Sequence, residues 1–172
     1  MKTLENLSRI YINKCQQCIK YRMLADLCKT QEMGVIAKYF KNLSAQEFTH
    51  AKIINSLIRE LREDDRIVKV DVSLKELKSK DVQLAINEEL AQEKGNGVNR
   101  YKTYARIARD EGYKDISNIL ILLSEAENNH STMLEAVKMK IAVGTELFEC
   151  EGCGLKLNSK IKECPLCSEK KL

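Results

Sequence analysis

The sequence contains few of the residues that interrupt helices. One proline and seven glycines occur in 172 residues, tryptophan is absent, and aromatic residues make up 5% of the chain. A β-sandwich or a barrel would need turn residues at short intervals, and this chain does not supply them. Leucine, isoleucine, alanine, lysine and glutamate are abundant instead, so the composition predicts an all-α protein.

Other absences narrow the class of partner. No apolar run reaches the roughly 18 to 20 residues that a membrane span requires, and the opening segment MKTLENLSRIYINK lacks the apolar block of a signal peptide. The 29 basic and 25 acidic side chains give a net charge of +4, without a long block of either sign. We therefore expect a cytoplasmic protein with no membrane and no nucleic acid among its partners.

Seven cysteines in a chain expected in a reducing compartment indicate metal binding or redox chemistry rather than disulfides. Four of them form two C-x-x-C pairs separated by ten residues: Cys150, Cys153, Cys164 and Cys167. Each pair can wrap two thiolates around one ion, and two facing pairs complete a tetrahedral site of four sulfurs. Because zinc and iron share this ligand geometry, a structural zinc ribbon and an FeS4 electron relay both remain open.

The part of the chain before the cysteine pairs has the apolar periodicity of four helices. The expected helices span about 4–28, 32–62, 81–110 and 114–141. A long polar connection joins the second to the third, with a short helix of its own after Ser73. The sequence thus predicts two domains, a four-helix bundle over 1–143 and a four-cysteine metal domain over 146–172.

Both histidines of the chain lie in copies of the same pattern, Glu-x-x-His. Glu47 and His50 recur 80 positions later as Glu127 and His130, and the same offset carries Tyr21 onto Tyr101. The bundle therefore consists of two related helical hairpins. Residues three apart share one face of a helix, so each pair points an oxygen and a nitrogen at one spot. The repeat sets the two spots side by side in the core, where they can bind a pair of metal ions.

With four helices, a doubled Glu-x-x-His and two C-x-x-C pairs, the chain resembles the rubrerythrin family. The stretches that carry the resemblance are AQEFTHAK, ARIARDEGYKDI with AENNH, and CEGCG with CPLC. It implies a ferritin-like four-helix bundle with a long crossover between helices 2 and 3, followed by a small rubredoxin-like or zinc-ribbon domain. It further implies a peroxidase of the NADH peroxidase type that acts against oxidative stress, with a carboxylate-bridged di-iron site that reduces hydrogen peroxide.

The resemblance also implies roles for single residues. Glu47 and Glu127 would bridge or chelate iron, His50 and His130 would each bind one iron, and Glu93 would add a carboxylate from the third helix. Tyr21 and Tyr101 would hold carboxylates in place. An electron-donor reductase would supply electrons through the FeS4 centre, and the protein would be a homodimer.

Two positions depart from the family pattern. Lys14 stands where the family has a first-helix glutamate, and Asn96 stands where it has a second glutamate on the third helix. If the first helix keeps the family register, we expect the Lys14 ammonium to pair with Glu47 or Glu93 and to compete with a second metal ion. Glu89 lies one turn before Glu93, Cys18 lies one turn after Lys14, and both offer alternative ligands.

The departures leave a second hypothesis open. In it the chain is a non-catalytic relative with a mononuclear or empty bundle site and a structural zinc ribbon, which acts in metal binding or protein interaction. Cys15 and Cys18 form a further C-x-x-C that can be a reactive dithiol, a metal site or two core thiols, while Cys28 is expected in the core.

Overall fold

The computed structural model describes residues 1–63, 81–143, 148–149 and 156–157, with the side chains of 92–98 and of 139 onward outside the description. The described elements run in the order α1 Lys2–Thr30, α2 Gly34–Arg62, α3 Val82–Asp110, α4 Lys114–Val143, β1 Phe148–Glu149 and β2 Lys156–Leu157. The four helices agree with the predicted ones to within three residues at each end. The short helix expected after Ser73 lies outside the described residues.

Local signals account for the ends of the helices. Asp81 caps α3, because its carboxylate accepts a hydrogen bond of 2.9 Å from the backbone N–H of Leu84. Gly112 follows α3 at φ +92°, a conformation that favours glycine, and turns the chain into α4. The three-residue turn between α1 and α2 is made differently, with Glu32 at φ 58°. Both turns are short, so the helices they join are antiparallel neighbours.

The bundle is two packed hairpins, α1 with α2 and α3 with α4, and α1 also contacts α3 while α2 contacts α4. Two separate apolar clusters fill its core. One includes Tyr21, Leu43 and Leu134, and the other includes Ile10, Ile54 and Leu123. Lys14, Glu47 and Glu127 each lie between these clusters along their own helices, so a polar layer crosses the middle of the bundle.

Two apolar side chains of α2 lie at the surface, and the C-terminal segment forms a short strand pair. Phe48 and Ile53, which belong to the apolar pattern of α2, are 56% and 38% exposed rather than in the core. Strands β1 and β2 pair antiparallel, with Phe148 opposite Leu157. Among the helices that the structure describes, we find none with an apolar stretch suited to crossing a membrane.

Candidate metal centre

Three helices place charged and imidazole groups in the polar layer. Helix α1 contributes Lys14, α2 contributes Glu47 and His50, and α4 contributes Glu127 and His130. The two Glu-x-x-His pairs converge as the repeat predicts, because each presents its side chains on the inner face of its helix. Lys14 and Glu47 have no exposed surface, Glu127 and His130 are nearly fully buried, and His50 is the most exposed of the five, with 14% of its side chain exposed.

The Lys14 ammonium lies between the two carboxylates. Its Nζ is 2.8 Å from Glu47 Oε2 and 2.6 Å from Glu127 Oε2. It also donates a hydrogen bond of 2.8 Å to Gln17 Oε1, one turn further along α1. The expected pairing of Lys14 with Glu47 is therefore confirmed. Its equally close contact with Glu127 and the part played by Gln17 were not predicted.

The other oxygen of each carboxylate faces a histidine from the opposite hairpin. Glu47 Oε1 lies 3.0 Å from His130 Nδ1, and Glu127 Oε1 lies 3.4 Å from His50 Nδ1. The two imidazole rings stack at 5.6 Å between centroids. Each carboxylate thus has one oxygen directed at Lys14 and one directed at a ring nitrogen.

Gln46 is a site residue that sequence reasoning missed. Its side-chain oxygen lies 2.9 Å from His130 Nε2. Because an amide oxygen only accepts hydrogen bonds, Nε2 must donate, and in a neutral ring Nδ1 then carries a lone pair toward Glu47. The signal in the sequence was slight, namely a glutamine directly before the glutamate of the first Glu-x-x-His.

Electrostatics in the layer favour ionised side chains. For Glu127, burial acts to raise the pKa, but the contact with His50 and the charges of Lys14 and His130 outweigh it and lower the pKa to about 2. For Lys14, burial acts to lower the pKa, yet the nearby carboxylates, chiefly Glu47, raise it above its ordinary value. Lysine and carboxylate therefore remain a charged pair at neutral pH.

The two repeat-related tyrosines lie in different surroundings. Tyr101 is buried with its ring centroid 5.8 Å from Lys14 Nζ, and burial together with Glu127 and Glu47 raises its pKa despite the opposing charge of Lys14. Tyr21 is fully buried and stacks on Phe40 at 6.0 Å between ring centroids, inside an apolar cluster. Their predicted role in holding carboxylates stays a prediction.

The third helix adds a carboxylate at the edge of the layer. Glu89 is buried and forms an ion pair with Lys20 of α1. Burial raises the pKa of Glu89, the Lys20 charge opposes that rise, and Glu47 adds to it, so Glu89 lies within the field of the centre. The side chains of Glu93 and Asn96 lie outside the described residues, and the predicted role of Glu93 stays a prediction.

The donor atoms fit one metal ion. Glu47, Glu127 and His130 each offer a ligand atom within 4.8 Å of the others. Ligands bound to one ion at about 2.1 Å lie about 3 to 3.5 Å apart, which matches the 3.0 and 3.4 Å oxygen-to-nitrogen distances. Glu47 Oε1, Glu127 Oε1 and the Nδ1 atoms of both histidines are buried without a hydrogen bond among the described residues. Such lone pairs suit a cation.

A second ion does not fit while Lys14 keeps this position. Carboxylates that bridge two ions bind one ion through each oxygen. The two Oε2 atoms that a second ion would use are the atoms that Lys14 Nζ contacts at 2.8 and 2.6 Å. Lys14 therefore competes for the two oxygens that a second, bridged ion would need.

The structure describes three of the seven cysteines. Cys28 is buried, as expected, and burial raises the pKa of its thiol to about 11. Cys15 and Cys18 are partly buried free thiols, and Cys18 Sγ lies 3.5 Å from Ser44 Oγ, so it does not join the Glu–His cluster. The predicted four-sulfur site of Cys150, Cys153, Cys164 and Cys167 lies outside the described residues, as does most of the predicted second domain.

Comparison with known proteins agrees with this architecture. A family model described as rubrerythrin matches residues 5–138 and 85–153. A putative rubrerythrin from Methanocaldococcus jannaschii is 27% identical over 180 residues, which is 97% of this chain and 88% of the relative.

Solved structures support the same bundle. A partially reduced nigerythrin superposes with a TM-score of 0.72 at 22% identity, covering 98% of this chain and 82% of the other. The bacterioferritin of Desulfovibrio desulfuricans superposes with a TM-score of 0.73 at 18% identity, covering 82% and 80%. The bundle is thus the ferritin-like fold that the sequence predicts, and the chain belongs to the rubrerythrin family.

Proposed function

We propose that this protein is an iron-dependent oxidoreductase that reduces hydrogen peroxide in the cytoplasm. The observation that carries the proposal is the buried cluster of Glu47, Glu127 and His130, whose ligand atoms lie within 4.8 Å of one another, with His50 Nδ1 3.4 Å from Glu127 Oε1. Membership of a family of di-iron oxidoreductases supports iron as the metal. Bound iron would supply the redox chemistry, since reduction of one peroxide molecule to two waters consumes two electrons and two protons.

The residues of the bundle would divide the remaining work. Glu47 and Glu127 would hold the metal, and each keeps one oxygen on Lys14. His130 is oriented by Gln46, whereas His50 lies nearest to solvent, so the His50 side of the centre is the natural side for peroxide entry. The aliphatic side chains above and below exclude water from the layer and strengthen its electrostatic interactions.

The C-terminal cysteines would complete the electron path. Cys150, Cys153, Cys164 and Cys167 have the spacing of a four-sulfur site, and β1 and β2 pair the chain on either side of the first two cysteines. In this proposal the site holds iron, receives electrons from a reductase and passes them to the bundle. A homodimer would allow the relay of one subunit to serve the bundle of the other.

Peroxide consumption tests the proposal. Protein loaded with iron without oxygen and supplied with a chemical reductant should consume hydrogen peroxide catalytically, and Glu47→Gln should abolish turnover because it removes a charged ligand. Glu60→Gln provides the matched control, since Glu60 is an exposed carboxylate on the same helix. Turnover that survives in Glu47→Gln, or that is absent from the iron-loaded wild-type protein, would contradict the proposal.

Lys14 favours a second candidate function. Its contacts give the carboxylates a partner without any metal, which is what a non-catalytic metal-binding or protein-interaction relative would need. That candidate predicts zinc at the cysteines, a bundle free of iron and no peroxide turnover. The metal content of the purified protein and the assay above separate the two.

A further inference from the structure

Lys14 has the contacts of a built-in counter-ion rather than of an accidental core lysine. An ammonium has three N–H donors, and three acceptors surround this one, Glu47 Oε2, Glu127 Oε2 and Gln17 Oε1, at 2.8, 2.6 and 2.8 Å. The residue has no exposed surface. Burial of a charge is costly unless it is paired and hydrogen-bonded, and here the ammonium is hydrogen-bonded to Gln17 and Glu127 and charge-paired with Glu47.

We infer that Lys14 is the protein's own replacement for a second metal ion: it neutralises Glu47 and Glu127 in the metal-free protein and limits the loaded bundle to one ion. The inference rests on the metal site of the proposed function but not on its peroxide chemistry. It concerns how many metal ions the bundle binds and how the bundle is held together before they bind.

The metal-free state is the first consequence. Without a cation, two carboxylates from opposite hairpins would be held in the core with like charges close together. One of them would then have to take up a proton or move away. The ammonium bonds to both and so joins α1, α2 and α4 across the polar layer. The bundle is therefore complete before metal binds, and the first ion enters a preformed site.

The capacity for metal is the second consequence. With Lys14 in place, the carboxylate oxygens that it does not contact are Glu47 Oε1 and Glu127 Oε1, which lie 3.0 Å from His130 Nδ1 and 3.4 Å from His50 Nδ1. Glu47, Glu127 and His130 can each place one ligand atom on a shared ion, and His50 can add a fourth. A second ion would have to displace a buried, charge-paired ammonium, which disfavours its binding.

Cobalt(II) counts the ions independently of peroxide turnover. The His50→Ala/His130→Ala double variant provides the baseline, because it loses both nitrogen ligands but keeps the cysteines. We expect the wild-type chain to bind one more cobalt ion than this variant, and Lys14→Glu to bind two more, because it adds a ligand and removes the competing charge. Two additional ions in the wild-type chain, or one in Lys14→Glu, would overturn the inference.

Thermal unfolding of the metal-free protein provides the second test. Lys14→Met should lower the midpoint by about 10 °C, since it leaves two buried carboxylates without a cation, and one equivalent of cobalt should recover more of the loss than it adds to the wild-type protein. Lys29→Met is the matched control, because Lys29 on the same helix is 59% exposed and pairs only at the surface. A Lys14→Met midpoint within about 2 °C of the control would refute the counter-ion role. If Lys14→Met does not fold without metal but Lys14→Arg does, the role is supported, since arginine keeps the charge.

Discussion

The two hairpins of the bundle contribute the same ligand pattern but different neighbours. Helices α2 and α4 each supply a Glu-x-x-His, and each glutamate contacts the histidine of the other hairpin. Helices α1 and α3 do not match, because α1 supplies Lys14 to the centre of the layer whereas α3 supplies Tyr101 beside it and Glu89 at its edge. In our proposal the repeated helices supply the metal ligands, and Lys14 of α1 limits how many ions bind.

The histidines show a smaller asymmetry of the same kind. His130 is buried and held by Gln46, whereas His50 is 14% exposed. One ring is therefore fixed in orientation from within the bundle, and the other borders on solvent. A centre built from symmetric ligands thus has one rigid side and one accessible side, which suits a site that must hold a metal and admit a small substrate.

The largest expected effect tests whether the glutamates of the two hairpins are equivalent. Glu47→Ala and Glu127→Ala should each lower the free energy of unfolding of the metal-free protein by about 3 to 5 kcal/mol, because each removes one partner of a buried charge. Glu60→Ala and Glu125→Ala, which remove exposed carboxylates from the same helices, provide the controls. Urea denaturation measures the difference, and a loss below about 1 kcal/mol for either core variant would show that Lys14 depends on one glutamate only.

The next effect should separate the two histidines. His130→Ala should weaken cobalt binding by at least about 100-fold, since loss of a ligand exceeds the roughly 10 to 100-fold cost of losing its supporting partner. His50→Ala should weaken binding less, because water can reach the more exposed position and replace the nitrogen. Competition with a chelator gives both affinities. Equal losses in the two variants would remove the proposed difference between a rigid and an accessible side.

Acid should weaken the metal-free bundle through Glu127. The folded-state pKa of about 2 lies below the ordinary value of 4.5, so the folded protein binds this proton less readily than the unfolded chain does. The stabilisation is present above pH 4.5 and is lost as the pH falls toward 2. Between pH 6 and 3 the wild-type protein should lose about 2 kcal/mol more than Glu127→Gln. Parallel stability curves for the two proteins would show that Glu127 titrates normally.

Gln46 should have the smallest effect. Gln46→Leu should weaken cobalt binding about 10-fold, because His130 loses the acceptor that fixes its ring. Gln46→Glu keeps an acceptor oxygen and should retain most of the affinity, and Gln16→Leu, at an exposed glutamine, should have no effect. If Gln46→Leu binds cobalt as tightly as the wild-type protein does, the orientation of His130 depends on packing alone.

Sequence reasoning succeeded where a pattern repeats. The four helices follow from apolar periodicity, and the convergence of Glu47, His50, Glu127 and His130 follows from two copies of one motif on matching helices. A repeated spacing carries its own geometry, since residues three apart on a helix must share a face. The pairing of Lys14 with Glu47 was also predictable, because a lysine at a core position requires an acidic partner.

The features that could not be predicted from the sequence depend on contacts between helices. Gln46 and Gln17 occupy ordinary positions on α2 and α1, and only the crossing of the helices brings them to His130 and Lys14. The burial of Glu89 against Lys20 likewise follows from how α3 packs on α1. Phe48 fits the apolar period of α2 and is nevertheless exposed, because the apolar stripe of that helix is wider than the surface it buries.

Anomalous diffraction from crystals grown with ferrous iron locates each ion and Lys14 in one experiment. If Lys14 limits the bundle to one ion, we expect one iron peak, bounded by Glu47, His50, Glu127 and His130, with Lys14 Nζ still within hydrogen-bonding distance of both Oε2 atoms. Two peaks bridged by the carboxylates, with the Lys14 side chain turned away from them, would contradict it.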